Sequence, residues 1–228
     1  MNAMILAAGR GERLRPLTDT IPKPLVEVQG QPVIAYTLQR LASLGVTRIV
    51  INAFHLADKL VAYVGDGARW GVQVSWSQEK ECLDTGGGIR NALHLMEPTP
   101  FLVVNGDILW NTDLRPMLSA FDPARMDGLL GMVAPQAGGG DFLCDPRSGA
   151  LQRAARDPNS MTYSGILLLA PDALAPYPLA PFSLNRFFDD ALRVGRLRGI
   201  PLQGEWADMG TPERLAETRK MTWIPTGL

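Results

Sequence analysis

The chain has 228 residues, 22 of them basic and 23 acidic, for a formal net charge of −1, and 46% of its residues are hydrophobic. This length slightly exceeds the ~100–200 residues of a usual domain and is enough for a sizeable core, so one large domain is expected, with two small ones the alternative. The charge balance excludes a global field that would draw the chain to nucleic acid or to an anionic membrane, so any anion it binds must be bound locally.

In chain order, Asn2 to Ala7 reads as a strand. It runs into "LAAGRGERLRPLTDTIPKPL" (Leu6 to Leu25), where two glycines, four basic residues and three prolines rule out helix and strand alike. Ile34, Leu38, Leu41 and Leu44 then fall on one face of a helix from about Pro32 to Gly45. "RIVIN" (Arg48 to Asn52) is a near-continuous apolar strand. A helical segment follows at Leu56 to Val64, then the alternating "VQVSWS" (Val72 to Ser77), a helix around Ile89 to Met96, and the buried-type strand "FLVVN" (Phe101 to Asn105). This β-α-β-α order predicts an α/β fold whose mostly parallel sheet is covered on both faces.

Beyond Asp113 the pattern is less regular. "GLLGMV" (Gly128 to Val133) and "YSGILLLA" (Tyr163 to Ala170) read as strands, with "DFLCDPRSGALQRA" between them as a hairpin. Helices are expected at Ser183 to Val194, capped by Ser183, and at Thr211 to Met221, where Thr211-Pro212-Glu213 supplies a cap, a first-turn proline and an acid. No linker, repeat or low-complexity tract interrupts the chain. No apolar stretch approaches the ~18 residues of a membrane span, and the N-terminus carries no signal pattern. Cys82 and Cys144 sit in no metal or redox spacing and read as free thiols, which makes the cytoplasm the expected location.

Ligands of such folds sit at the carboxyl ends of parallel strands, where the Leu6 to Leu25 loop begins. Gly9-Arg10-Gly11 starts like a dinucleotide fingerprint, but the third glycine position is Leu14, and no Gly-Lys-Ser/Thr follows as in a P-loop. What remains is close backbone approach at Gly9 and Gly11, two cations ten residues apart at Arg13 and Lys23, and prolines stiffening the path. Backbone N–H groups with two fixed cations make a polyphosphate site, the alternative being a solvated surface loop. In "FLVVNGDI" an acid, Asp107, follows a buried strand, either as a turn residue or as a ligand for a hard cation. In "EWADMGTPERL" Asp208 is either part of a helix cap or a second such acid. Gly86-Gly87-Gly88 in "SQEKECLDTGGGIRNAL" could be a flexible turn. His55 and His94 have no ligand spacing, and Trp76, Trp110 and Trp206 read as packing.

Taken whole, the opening loop resembles the signature L-A-A-G-x-G-x-R-[LM]-x-P-L-T followed by P-K-P-L of sugar-1-phosphate nucleotidyltransferases. The resemblance implies a single-domain, Rossmann-like three-layer sandwich with a mixed, mostly parallel sheet, the nucleotide-diphospho-sugar transferase fold, without the C-terminal β-helix of larger relatives. It implies that Arg13 contacts the triphosphate, Lys23 the reacting phosphates, and Ala7, Ala8, Gly9 and Gly11 the substrate through the loop. Asp107 matches the family's catalytic, Mg²⁺-binding G-D aspartate, and Asp208 the W-x-D-x-G-T aspartate that completes the metal site. Glu79, Thr85 and Gly86 correspond to the nucleobase or ribose site. Asn105, Asp141, Ser164, Gly165 and Asn185 correspond to the sugar pocket, with Gly138-Gly139-Gly140 as a lid or a mobile loop. Two departures stand out: Glu12 where many members have Ser or Thr, and Asp84 where larger members have glycine. Within the family, "GERLRPLT", "DTGGGI", "NGD" and "WADMGT" look most similar to bacterial N-acetylmuramate-1-phosphate uridylyltransferases of cell-wall recycling. Short mannose-1-phosphate guanylyltransferases are the alternative, and a non-catalytic nucleotide-sugar sensor is a third reading. The implied partners are a nucleoside triphosphate, UTP first, and a sugar 1-phosphate, with no nucleic acid or membrane, in a monomer or weak homodimer.

Overall fold

Strands that are apolar at every position, such as Met4-Ile5 and Val103-Val104, need cover on both faces. The computed structural model, which describes residues 1–135, 139–154 and 157–223, supplies it. In chain order the elements are β1 (Asn2–Leu6), β2 (Glu27–Val28), β3 (Gln31–Pro32), α1 (Val33–Ser43), β4 (Arg48–Ala53), α2 (Ala57–Val64), β5 (Gln73–Gln78) and α3 (Asp84–Ala92). They continue with β6 (Phe101–Asn105), β7 (Ile108–Trp110), α4 (Arg115–Ala120), β8 (Gly128–Val133), β9 (Phe142–Cys144), β10 (Leu151–Arg153) and β11 (Thr162–Leu169). The last are α5 (Leu184–Arg193), β12 (Leu197–Pro201), β13 (Trp206–Asp208) and α6 (Pro212–Thr218).

A seven-stranded sheet runs in the order β12-β8-β11-β6-β1-β4-β5. Its pairs are parallel except those of β11, which is antiparallel to both β6 and β8. Successive side chains of the central strands go to opposite cores. Ala3, Ile5, Ile49, Ile51, Leu102 and Val104 pack with Ile34, Leu38 and Leu41 of α1 on one face. Met4, Val50, Phe101 and Val103 pack with Ile89 of α3 and with Leu184, Phe187 and Phe188 of α5 on the other. The three-layer, mostly parallel architecture expected from the sequence is therefore the one observed. Among the described residues no helix is long and apolar enough to cross a membrane, and Cys82 and Cys144 are free thiols.

The expected hairpin is β9 paired with β10. Ser183 and Thr211 cap α5 and α6, accepting from the backbone N–H of Asn185 and Arg214. The β7–β13 ribbon, α4 and β12 go beyond the sequence expectation. The ribbon strands are only three residues long, too short to show a period.

The largest correction concerns α3. It starts at Asp84 rather than near Ile89, stops at Ala92, and takes in Gly86, Gly87 and Gly88. Glycine costs about 1 kcal/mol per helical position relative to Ala, so local propensity argues against a helix here. Packing decides otherwise. A Cβ on Gly86 would lie 2.3 Å from Phe182 Cε2, one on Gly87 2.5 Å from the Ala180 carbonyl oxygen, and one on Gly88 2.7 Å from Asn52 Nδ2. The glycines let α3 settle against the segment that leads into α5 and against the end of β4. Gly87→Ala sets a propensity gain of about 1 kcal/mol against overpacking of about 1–3 kcal/mol onto a backbone oxygen that cannot swing aside. The variant should be less stable in denaturant unfolding; a gain in stability would mean that the close contact carries no weight.

Candidate active site

Parallel strands β1, β4 and β6 end at one edge of the sheet, and their register puts Asn52 and Asn105 on either side of Leu6. A cavity of about 530 Å³ opens above this edge. That volume lies within the ~300–1,000 Å³ usual for small-molecule sites. The segment leaving β1 forms one wall, from Leu6 through Arg13.

Among the described residues, the backbone N–H groups from Ala8 through Arg13 have no protein acceptor. A run of unspent donors curving round a cleft is an anion nest. The loop is held instead from outside. Gly11, at φ +65°, sits against Thr18, whose hydroxyl donates to the Gly11 carbonyl at 2.8 Å. His55 Nε2 lies 2.7 Å from the Thr18 carbonyl oxygen, and Lys59 Nζ donates to that of Thr20 at 2.7 Å. His55 is thus a brace, consistent with its lack of ligand spacing.

Three cations line the cavity, of which Arg10 lies over the Phe54 ring. The Arg13 guanidinium reaches over Gly210, where a Cβ would lie 3.3 Å from its Nη2, and it has no bonding partner among the described residues. Lys23 is ion-paired with Asp107, their side chains 13% and 26% exposed. Gly106 brings Asp107 to this point because a Cβ there would meet the Leu6 carbonyl oxygen at 2.8 Å. Asp208 arrives on the β7–β13 ribbon: it pairs with Ile108, and the Met209 N–H donates to the Asp107 carbonyl at 3.1 Å. The Asp208 carboxylate accepts from Arg214 Nη1 at 3.0 and 2.8 Å and from the Gly210 N–H at 2.8 Å. It is not among the residues that line the cavity, whereas Asp107 is.

The donor set suits a hard divalent cation. Two carboxylates approach from one end of the β7–β13 ribbon without histidine or thiolate, the chemistry that favours Mg²⁺ over softer metals. Among the described residues no cluster of three or more His, Cys, Asp or Glu forms a ready-made cage. An ion here would draw most of its ligands from phosphate and water, as Mg²⁺ commonly does.

The lining also holds Asn52, Glu79, Cys82, Asp84 and Thr85. Burial pushes the Glu79 carboxyl above its ordinary value, an effect opposed by hydrogen bonds from the Leu83 N–H and Asn52. Asp84 holds a left-handed conformation, φ +59°, with Oδ1 accepting from the Thr85 N–H at 2.6 Å. Thr85 Oγ1 accepts from the Leu184 N–H at 2.9 Å and so ties α3 to α5. Gly86 lies beneath Phe182, away from the cavity lining.

Of the sugar-pocket candidates, Asn105 lines the cavity. Gly165, φ +80°, backs it in a bulge of β11, leaving no room for a Cβ, which would sit 2.8 Å from Asn105 Nδ2. Ser164 is fully buried; its hydroxyl accepts from the Ile166 N–H and its carbonyl from Trp206 Nε1. Asp141 accepts from the Tyr163 N–H, and Asn185 bonds Arg153 and Ser183. The structure thus gathers Ala7, Ala8, Gly9, Gly11, Arg13, Lys23, Glu79, Thr85, Asn105 and Asp107, while Gly86, Asp141, Ser164, Gly165, Asn185 and Asp208 stand outside the lining. Within the triple-glycine lid segment, Gly138 lies outside the described residues. Gly140 is packed on Met161, with no space for a Cβ.

Sequence reasoning passed over Asn52, Arg10, Cys82 and Gly210. The signal for Asn52 was present: "RIVIN" and "FLVVN" are two apolar strands that each close on an asparagine.

Comparison with known proteins shows the family. Residues 2–138 match the model of the Nucleotidyl transferase family. The chain is 38% identical to N-acetylmuramate alpha-1-phosphate uridylyltransferase of Neisseria meningitidis over 97% of its own length and 98% of that protein. It is 32% identical to the protein of the same description from Caulobacter vibrioides, over 92% of each. A crystal structure of HddC from Yersinia pseudotuberculosis complexed with GMP-PN superposes with a TM-score of 0.82 and 26% identity, covering 96% of this chain and 98% of that one. On these matches the chain belongs to the nucleotidyl transferase family, among its sugar-1-phosphate nucleotidyltransferases.

Proposed function

We propose that the chain couples UTP to N-acetylmuramate 1-phosphate, giving UDP-N-acetylmuramate and pyrophosphate, in the recycling of peptidoglycan. The observation that carries nucleotidyl transfer is one cavity lined by a loop with free N–H groups, by the cations Arg10, Arg13 and Lys23, and by Asp107. The choice of uracil and N-acetylmuramate rests on the described activity of the two relatives matched along nearly their whole length. The reaction would run in the cytoplasm, in a chain that acts as one nucleotidyltransferase domain, a monomer or weak homodimer.

In this reading an oxygen of the sugar phosphate attacks the α-phosphorus of UTP in line. A new P–O bond forms as the bond from the α-phosphorus to the bridging oxygen breaks, and the electron pair leaves with pyrophosphate. No general base is needed, because a phosphate monoester with its second pKa at ~6 is already mostly dianionic at neutral pH. Catalysis then reduces to positioning and charge stabilisation. Ala8 through Arg13 receive the triphosphate on backbone donors, with the Arg13 guanidinium beside them. Lys23 lies closest to the acid and serves the phosphates that exchange partners. Asp107 orients the Lys23 ammonium and, with Asp208, would hold Mg²⁺. That ion, when bound, would neutralise charge on the phosphate oxygens. The uracil and ribose would lie toward Glu79, Asp84 and Thr85, and the sugar toward Asn105.

The test is pyrophosphate release with Mg²⁺ across four nucleoside triphosphates and several sugar 1-phosphates. Release should be fastest with UTP and N-acetylmuramate 1-phosphate. Preference for GTP with mannose 1-phosphate would replace the uridylyl assignment, and silence with every pair would point to a sensor. Asp107→Asn leaves Lys23 without its counter-charge and weakens any metal site. It should lower kcat by ~10²-fold or more, the scale of one preorganised electrostatic group. Turnover near that of the unmodified enzyme would remove Asp107 from the mechanism.

A further inference from the structure

Glu79 lines the cavity, yet both of its oxygens are engaged within the protein. Oε1 accepts from Asn52 Nδ2 at 2.7 Å and Oε2 from the Leu83 N–H at 3.1 Å. Asn52 in turn uses Oδ1 to accept from the Ala7 N–H at 2.8 Å. Asn52 is 2% exposed and Glu79 9%. One chain of hydrogen bonds therefore runs from the first residue after β1, through the end of β4, to the loop that opens α3.

Gly88 makes room for it. A Cβ at that position would lie 2.7 Å from Asn52 Nδ2 and 2.8 Å from Glu79 Oε1. The third glycine of the run thus faces the relay, while the first two face Phe182 and Ala180.

We infer that Asn52 and Glu79 are positioning residues that fix the phosphate loop and the nucleobase loop at a set separation, and so set the affinity for the nucleoside triphosphate. The inference rests on the nucleotidyl-transfer reading for what the two loops bind. Ala7, held by Asn52, immediately precedes the run of unspent N–H donors that starts at Ala8, and Leu83 precedes Asp84 and Thr85. Neither relay side chain has to touch the reacting phosphorus for this role. The expected signature is a change in nucleotide binding with a smaller change in turnover.

Donor and acceptor counting gives a sharp test. In Glu79→Gln one acceptor replaces two, and an NH₂ group joins the donors. Either Asn52 Nδ2 or the Leu83 N–H then loses its partner, and flipping the Asn52 amide only moves the conflict to the Ala7 N–H. Adding Asn52→Asp restores every bond at the same total charge, with only the bond between the two side chains reversed in polarity. The new carboxylate at position 52 would accept from the Ala7 N–H and from the new amide NH₂ at position 79, and the carbonyl of that amide would accept from the Leu83 N–H.

UTP affinity, measured by calorimetry alongside steady-state kinetics, should weaken about tenfold in E79Q, the scale of one orphaned buried hydrogen-bonding group. The KM for UTP should rise in step and kcat should fall less, while the KM for N-acetylmuramate 1-phosphate stays near that of the unmodified enzyme. The N52D/E79Q double variant should recover most of the UTP affinity. If E79Q binds UTP normally, or if the double variant is no better than the single, the relay has no positioning role. Should E79Q fail to fold, Gly88→Ala presses on the same two atoms and should also raise the Kd for UTP; an unchanged Kd would overturn the inference. Failure of the functional reading looks different, because the unmodified enzyme would then neither bind UTP nor release pyrophosphate from it.

Discussion

A loop that is to bind phosphate through its backbone must leave its own N–H groups unpaired, and an unpaired loop cannot hold itself in shape. Around Ala8 through Arg13 this constraint is met by bonds from elsewhere: Asn52 to Ala7, Thr18 to Gly11, and His55 and Lys59 to the segment that follows. Each of these comes from a strand, from a helix and the turn before it, or from the return path of the loop itself. The sheet register supplies the foundation, since Asn52 can reach Ala7 only because β4 is level with β1 at Leu6. A shift of one residue would turn Asn52 to the other face.

The charges follow the same logic. With a net charge of −1 the molecule has no long-range attraction for a triphosphate, so the field must be built at short range. Arg13 is exposed and has no bonding partner among the described residues, while Lys23 is largely buried and already matched to Asp107. The two cations are thus prepared differently. Pairing holds Lys23 in one place before substrate arrives, which lowers the ordering cost at the moment of binding. Arg13 keeps its freedom and its full set of donors.

How much of this was legible in the sequence depends on the range of the interaction. The central strands, α1 and the caps at Ser183 and Thr211 could be read because their signals are local: apolar runs, a helical period, and a hydroxyl before a helix. The phosphate loop was legible as a motif, and so was the Gly-Asp turn after β6. Helix α3 was not, because its glycines obey neighbours distant in sequence, Phe182, Ala180 and Asn52. Glu79 was legible as a candidate for base contact, but its bonds to Asn52 and Leu83 required the fold. The sugar-side residues were hardest. Ser164 and Gly165 belong to a bulge in the one antiparallel strand of the sheet, and a bulge alters where side chains point without altering the residue types that announce a strand. Glu12 lines the cavity as an exposed acid, and no contact in the structure accounts for its departure from the more common Ser or Thr.

The β7–β13 ribbon ties the acidic end of the site to the closure of the whole domain. It sets Asp208 beside Asp107 although the two are far apart in the chain. A domain folds as a unit, so Asp107, placed at the end of β6, gains its second carboxylate only when the strand bearing Asp208 has paired with β7. The pair of acids is thus a property of the folded chain and of no shorter stretch of it.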